Sequence, residues 1–374
     1  MLGLLVFAQP ITDILLPRQE GDYLYLTGVD EPGGILLLGP KTETLYLLQL
    51  SKTSAQFFGH DYLAGEKADE ALGVKTAPLP RRASEAYKAL LDALPEGVTL
   101  HMPRYGGSDH ATVRERRRRL ADHLKANRPD VKIVNLSPTL HAQRAIKDAW
   151  EIEQLRRAIA ITVEGFEAVR KPVRETGTET DVESAFYTTI RKRGARTAFP
   201  MIAGSGRNGA IPHYFKNEAP LVPKSLMVMD AGAAVHRYAA DITRTFPVGG
   251  KFTDETRRLY DAVLACQEAA IAVAKPGATF RDLSKAARAV LKKHDLDSYF
   301  IHGISHQVGL DVHDPGGGRL RKGMVFTIEP GVYLLEKKIG VRIEDMFLVT
   351  ETGVEMLTGA LPRTAADVEA WLSR

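Results

Sequence analysis

Short apolar runs separated by polar turns mark the first 140 or so residues. Tyr23–Leu26, Ile35–Leu38 and Leu45–Leu48 predict strands, and the spacing around Glu85–Leu94 predicts a helix. The apolar start, Met1–Ala8, has no Lys or Arg ahead of it and reads as a core strand rather than a secretory leader. Residues 114–119 (RERRRR) fall in a helical pattern whose apolar stripe is Val113, Leu120 and Leu124, which predicts arginines on a solvated face. After Leu136-Ser-Pro-Thr-Leu140 the pattern changes to long amphipathic helices. The first is Trp150–Arg170, with Ile152, Leu155, Ile159, Val163 and Phe166 at helical spacing. Two domains follow: a mixed α/β domain over 1–140 and a second over 141–374.

The second domain runs through one plan twice. Its first copy is the helix 150–170, Lys171-Pro172, a helix from about Asp181 to Arg193 started by Thr180, and a strand pair ending near Val248. Its second is a helix from about Asp254 to Ala274, Lys275-Pro276, a helix from Thr279 to Lys293, and a strand pair ending near Thr350. Pro172 and Pro276 are 104 positions apart, Asp230 and Glu329 are 99 apart, and Asp241 and Glu344 are 103 apart. The near-equal offsets predict two similar halves.

Composition narrows the classes. Of 374 residues, 44% are hydrophobic and 26% charged, which excludes a disordered chain or a fibre. Fifty basic and 46 acidic side chains leave +4, too small and too mixed an excess to support nucleic-acid binding. No stretch approaches the roughly 18 apolar residues of a membrane span. The single cysteine, Cys266, fits a small buried side chain in a reducing compartment, so a cytoplasmic protein is expected.

Acidic residues carry the chemistry. Leu226–Val248 reads as two strands around a turn near Val235–Tyr238; a centre at 235.5 would set Asp230 and Asp241 opposite each other across the ribbon. Met324–Thr350 repeats the pattern, with Glu329 opposite Glu344 and a turn at Glu336-Lys337-Lys338. Facing carboxylates in apolar strands are unfavourable unless a cation lies between them. A competing account pairs Asp230 or Asp241 with Arg244, or has them cap a turn, and pairs Glu344 with Arg342. Four acids in two matched ribbons favour metal.

His302, His306 and His313 crowd a glycine-rich stretch ending in Gly316-Gly317-Gly318, which points to a site. Four carboxylates and one neutral imidazole balance two divalent cations. Oxygen-rich ligation favours Mn²⁺, and the imidazole leaves Zn²⁺ or Co²⁺ open. Such a pair of ions can hold a bridging hydroxide and polarise a carbonyl, so the expected reaction is hydrolysis.

These residues resemble those of the pita-bread metallopeptidases, the family of aminopeptidase P, prolidase and methionine aminopeptidase. The matching pieces are Met229-Asp-Ala-Gly-Ala233, Asp241-Ile-Thr-Arg-Thr245, Gly303-Ile-Ser-His-Gln-Val-Gly-Leu310, Val312-His-Asp314, Thr327-Ile-Glu-Pro-Gly-Val-Tyr333 and Val341-Arg-Ile-Glu-Asp345. The resemblance implies metal ligation by Asp230, Asp241, His306, Glu329 and Glu344. It implies substrate contacts from His213 (in Ile211-Pro-His-Tyr214), His302 and His313, proton transfer by Glu329, and orientation of the acids by Arg342. The implied fold class is α/β (α+β): a small mixed α/β N-terminal domain, then a pita-bread domain with a pseudo-twofold internal repeat.

Tyr25-Leu-Thr-Gly-Val-Asp-Glu-Pro32 and Gly34-Ile-Leu-Leu-Leu38 resemble the start of the aminopeptidase P branch. That branch implies release of the N-terminal residue from peptides with proline second, and a homodimer. A prolidase acting on Xaa-Pro dipeptides is the alternative, with Arg319 and Arg321 as candidates to hold the dipeptide carboxylate. A non-catalytic binding module on the same fold is a third reading, disfavoured because all five ligand types are present.

Overall fold

The computed structural model describes residues 2–7, 21–30, 34–39, 43–58, 63–103 and 111–374. The chain forms two compact units, Met1–Gln143 and Arg144–Arg374. No described helix is long and apolar enough to cross a membrane.

The first unit is built on one mixed sheet. Its strands are β1 (Leu2–Phe7), β2 (Ile35–Leu38), β3 (Glu43–Leu48), β4 (Lys75–Leu79), β5 (Thr99–Met102) and β6 (Lys132–Asn135), in the order β4-β3-β2-β1-β5-β6. The helices are α1 (Gly21–Thr27), α2 (Lys52–Phe58), α3 (Glu66–Leu72), α4 (Ala83–Ala93), α5 (Ala111–Asn127) and α6 (Ser137–Arg144). The unbroken apolar run of β2 reflects burial on both faces. Ile35 and Leu37 join Leu90, Leu100, Leu120 and Leu124 in one core, while Leu36 joins Tyr23, Leu45 and Leu47 in the other.

Two expectations for this region are corrected. Tyr23–Leu26 lies in helix α1, not a strand; the helix stops at Gly28, whose left-handed φ of 66° lets its amide reach the Leu24 carbonyl at 2.8 Å. Within α5, Arg118 and Arg119 are exposed, yet Arg117 is buried at 2% exposure, because it sits three positions before Leu120 on the inward stripe.

The second unit opens with α7 (Ala149–Ala168), α8 (Arg170–Arg174) and α9 (Glu179–Lys192). Strands β7 (Arg196–Thr197), β8 (Ile202–Ser205), β9 (Leu226–Ala231), β10 (Ala233–Val235), β11 (Tyr238–Ala239) and β12 (Ile242–Pro247) complete its first half. The second half holds α10 (Asp254–Val273), α11 (Phe280–Lys292), β13 (Val325–Ile328), β14 (Gly331–Leu334), β15 (Ile339–Arg342) and β16 (Asp345–Val349). Strand β17 (Val354–Met356) and helix α12 (Ala365–Ser373) follow. The repeat is visible in the helix starts. Thr178 with Asp181 and Thr279 with Asp282 form reciprocal capping boxes on α9 and α11, so the first of these helices is started by Thr178 rather than Thr180.

The acid-bearing ribbons differ in how closely they follow expectation. In the second, every pair across β13–β16 and β14–β15 keeps one register, from Ile328 opposite Asp345 to Gly331 opposite Arg342. Continuing that register through the break between the two sheets sets Glu329 opposite Glu344. In the first, Asp230 faces Thr243 and not Asp241. The turn is His236-Arg237, both left-handed (φ 46° and 74°), and its centre lies one position later than 235.5, so the pairing differs from the expected one by two residues. A two-residue shift preserves the face, so Asp230 and Asp241 remain on one side as diagonal neighbours. Gly232 sits between them where a Cβ would collide with the Ala240 carbonyl oxygen.

Strand β12 stitches the halves together. Thr245 Oγ1 donates to the Arg342 carbonyl at 2.8 Å, and Arg244 Nη1 donates to the Glu344 carbonyl at 2.7 Å. Arg244 Nη2 also meets Asp345 Oδ1 at 2.7 Å, both side chains being fully buried. Arg244 is therefore committed to Asp345, which rules out its pairing with Asp230 or Asp241.

Candidate metal centre

The two ribbons bring their acids around one imidazole. His306 Nδ1 lies 3.1 Å from the Gln307 carbonyl. A carbonyl only accepts, so Nδ1 carries the proton and the Nε2 lone pair is turned to the acids. Nε2 is 3.3 Å from Asp241 Oδ2, 3.5 Å from Glu329 Oε1 and 3.9 Å from Glu344 Oε1. One ligand atom from each of Asp241, His306 and Glu344 lies within 4.8 Å of the others. Asp230 joins them through Arg342, whose Nη2 donates to Asp230 Oδ2 at 2.7 Å. That contact also settles the competing pairing, since the Arg342 guanidinium goes to Asp230 and not to Glu344.

Crowding makes the acids hard to ionise together. Burial, then the neighbouring Glu344 and Asp230 charges, hold Asp241 well above the carboxylate range. Burial and Glu344 do the same to Glu329. Glu344 is pushed up to about 7, by burial first and then by Asp230. A cation among them would relieve this repulsion. Two further observations fit a metal: Asp230 Oδ1 is buried without a hydrogen-bond partner, and the His306 tautomer leaves a ring nitrogen free to ligate. The donor set of carboxylate oxygens and one imidazole suits a divalent ion of moderate hardness.

A cleft of about 580 Å³ opens over these acids. Phe199, Ile202, Pro212, Phe215, Ile301 and Val312 give it apolar walls, and His213, His302 and His313 also line it. Ordered polar contacts run behind the acids. Arg342 Nη1 donates to the Tyr333 hydroxyl at 2.7 Å, and that oxygen lies 2.9 Å from His302 Nε2. His302 Nδ1 is 2.8 Å from the Gly303 carbonyl, so it must donate there and Nε2 must accept from Tyr333. Burial, then Arg342, lowers the His302 pKa to about 4; burial, then His306, lowers that of His313 to about 4. The His313 ring stands edge-on to His306 with centroids 4.2 Å apart. Arg319 and Arg321 do not line this cleft, and Arg319 Nη1 donates to the Gly277 carbonyl at 2.9 Å.

The family model described as metallopeptidase family M24 matches residues 153–351, spanning all five expected ligands. The chain belongs to metallopeptidase family M24. A second model, aminopeptidase P N-terminal domain, matches residues 17–96. The chain is 32% identical to Xaa-Pro aminopeptidase 2 of Streptomyces coelicolor, with 96% of this chain and 83% of that protein covered. It is 32% identical to Xaa-Pro aminopeptidase of Escherichia coli, covering 94% and 88% respectively. Among solved structures, aminopeptidase P from E. coli in its low-pH form superposes with a TM-score of 0.85 at 29% identity, covering 100% of this chain and 94% of that one. Zinc-substituted E. coli aminopeptidase P in complex with product gives the same score, identity and coverage.

As an M24 member with that structural likeness, the chain is a peptidase with an N-terminal α/β domain and a pita-bread domain, and a divalent metal is its expected cofactor class. Sequence reasoning missed several residues of this M24 centre. Tyr333 lay inside a motif already noted, but only its contact with Arg342 marks it. Thr243, which bonds both Glu344 and Arg342, lay in another. The apolar wall residues Phe199, Phe215 and Ile301 carried no periodic signal.

Proposed function

We propose that this M24 member is an Xaa-Pro aminopeptidase, releasing the first residue of peptides whose second residue is proline. The observation that carries the reading is the acid cluster around His306 Nε2 at the floor of an apolar cleft, in a chain whose named relatives are Xaa-Pro aminopeptidases. Asp230, Asp241, His306, Glu329 and Glu344 are assigned as ligands of two divalent ions, Mn²⁺ in preference to Zn²⁺ or Co²⁺. When bound, such ions supply a Lewis acid for the scissile carbonyl and acidify a water.

The chain's own groups supply the rest. Glu329, held well above the ordinary range, takes a proton from the attacking water and returns it to the departing prolyl nitrogen. Arg342 fixes the Asp230 carboxylate. His302 has both ring nitrogens engaged, so it serves by holding Tyr333, and His213 and His313 remain as N–H donors to the peptide oxygen. Proline has a fixed φ and no amide hydrogen, so its recognition calls for apolar surface such as Phe199, Phe215 and Ile301. The dipeptidase reading is disfavoured, because neither Arg319 nor Arg321 reaches the cleft. A cytoplasmic homodimer completes the proposal; the one cysteine, buried and free, suits a reducing compartment.

The test is a comparison of the Mn²⁺-loaded enzyme on Xaa-Pro-Xaa tripeptides, Xaa-Ala-Xaa tripeptides and Xaa-Pro dipeptides. Release from the first set alone is expected. Cleavage confined to dipeptides, or equal cleavage of the alanine series, would overturn the assignment.

A further inference from the structure

Helix α9 does not line the cleft, but it holds a stretch of chain that does. Glu179, its first residue, is fully buried, and its carboxylate receives four neutral donors. Oε1 accepts from the Ser205 amide and Asn208 Nδ2, each at 3.0 Å; Oε2 accepts from the Tyr214 hydroxyl at 2.8 Å and the Ala219 amide at 3.0 Å. These lone-pair sites saturate the carboxylate. All four donors belong to the stretch 205–219, which is drawn around Glu179 as around a hub.

Thr180 and Glu183, further along α9, secure the far end. Thr180 Oγ1 donates to the Asn217 carbonyl at 2.8 Å, and Asn217 Nδ2 donates to Glu183 Oε1 at 2.9 Å. Asn217 sits in the left-handed region (φ 50°), a conformation its side-chain bonds to Ala203 and Met201 help to hold. Because Tyr214 is pulled towards Glu179, its neighbours Pro212, His213 and Phe215 are left facing the cleft, where the His213 ring stacks on Phe215 at 5.7 Å.

We propose that Glu179 is a positioning residue for His213, acting through the Tyr214 hydroxyl. The inference rests on His213 being a donor to the peptide oxygen. A carboxylate is required at 179: a glutamine would turn an NH₂ towards the Ala219 amide and the phenol, replacing an acceptor with a donor.

A double-mutant cycle between Tyr214→Phe and His213→Ala tests it, with Glu179→Gln as a companion. Tyr214→Phe removes one hydroxyl on a segment that otherwise keeps its contacts, so folding is preserved even where changes at Glu179 impair it. In the Mn²⁺-loaded enzyme, Tyr214→Phe and Glu179→Gln should each lower kcat on an Xaa-Pro-Xaa tripeptide about 3- to 10-fold with KM little changed. In the His213→Ala background Tyr214→Phe should cost nothing further. The imidazole resonance of His213, followed in isotope-labelled protein, should shift or broaden in both single variants. An undiminished loss in the His213→Ala background, or an unmoved resonance, overturns the positioning role. If His213→Ala itself leaves kcat intact, it is the catalytic reading of His213 that fails, and the resonance alone then decides the positioning.

Discussion

Thr243 and Glu344 exchange two hydrogen bonds across the junction of the repeated halves. The Thr243 hydroxyl donates to Glu344 Oε2 at 2.7 Å, and the Glu344 amide donates back to the Thr243 carbonyl at 3.0 Å. The same hydroxyl accepts from Arg342 Nε at 3.0 Å, so one threonine aims a proposed ligand and the guanidinium that holds Asp230. Thr243→Val keeps the shape and deletes both bonds. Metal affinity should fall about 10- to 100-fold, the usual consequence of losing a group that orients a ligand. The unpaired Arg342 Nε should cost about 1–3 kcal/mol of stability. Calorimetric Mn²⁺ titration checks the first; unchanged affinity would detach Glu344 from the metal.

Removal of metal should reverse the ordinary pH dependence of a carboxylate-rich protein. In the metal-free fold Asp241, Glu329 and Glu344 have raised pKa values, with burial the leading cause in each. A raised folded-state pKa stabilises below the unfolded value, about 4.3 for glutamate, and that stability is lost as pH rises through the folded value, about 7 for Glu344. Chelated protein should therefore melt at a lower temperature at pH 8 than at pH 6. Adding Mn²⁺ should raise Tm most at the higher pH, where protons compete least. A chelated protein that melts higher at pH 8 would contradict this.

Much of the centre was legible because its signals are local. The second ribbon has a tight lysine-rich turn, and its expected register matches the pairing throughout. In the first, the turn His236-Arg237 puts the centre one position beyond the one that would oppose Asp230 to Asp241, so the pairing differs by two residues; its left-handed conformations, usually marked by Asn-Gly, carry no sign in the sequence that would have fixed the centre. Period-two geometry forgave the error, since both acids kept their face. Arg117 could have been placed inside by counting three back from Leu120; the surrounding arginines obscured it. Glu179 was not legible, because an acid in the first turn of a helix ordinarily reads as a partner of the helix dipole.

Buried charges fasten the histidine loop. Arg144 Nη2 donates to Asp311 Oδ2 at 2.8 Å and Asp314 Oδ1 at 2.6 Å, while Lys147 Nζ meets Asp314 Oδ2 at 3.1 Å. Burial would push Asp314 up, but Lys147 and Arg144 more than offset it and hold its pKa below the usual value. A depressed folded-state pKa gives stability that is present above the unfolded value, about 3.9, and lost as pH falls through the folded one. Lys147→Met leaves Asp314 half compensated and should cost about 3–5 kcal/mol. It should also move the onset of acid unfolding to higher pH. Urea melts at pH 7 and an acid titration followed by circular dichroism test both; an unaltered acid limb would remove Lys147 from the network.

Gly340 in β15 has no room for a side chain. A Cβ there would overlap the carbonyl oxygen of Gly209, in the short 3₁₀ turn Asn208–Ala210, and press on the Ala210 amide. The obstacle is backbone, so it cannot yield by changing rotamer. Gly340→Ala must push the 208–210 turn outwards, and Asn208 with it, disturbing the stretch that presents His213. Overpacking of this kind typically costs about 1–3 kcal/mol, and a displacement near 1 Å at a reacting site can lower kcat about 100-fold. Gly353→Ala is the control, because a Cβ at Gly353 meets nothing within 4 Å. The expected pattern is a lower Tm and a large loss of kcat in Gly340→Ala, with both retained in the control. A Gly340→Ala enzyme with full activity would mean that the turn behind His213 can move without consequence.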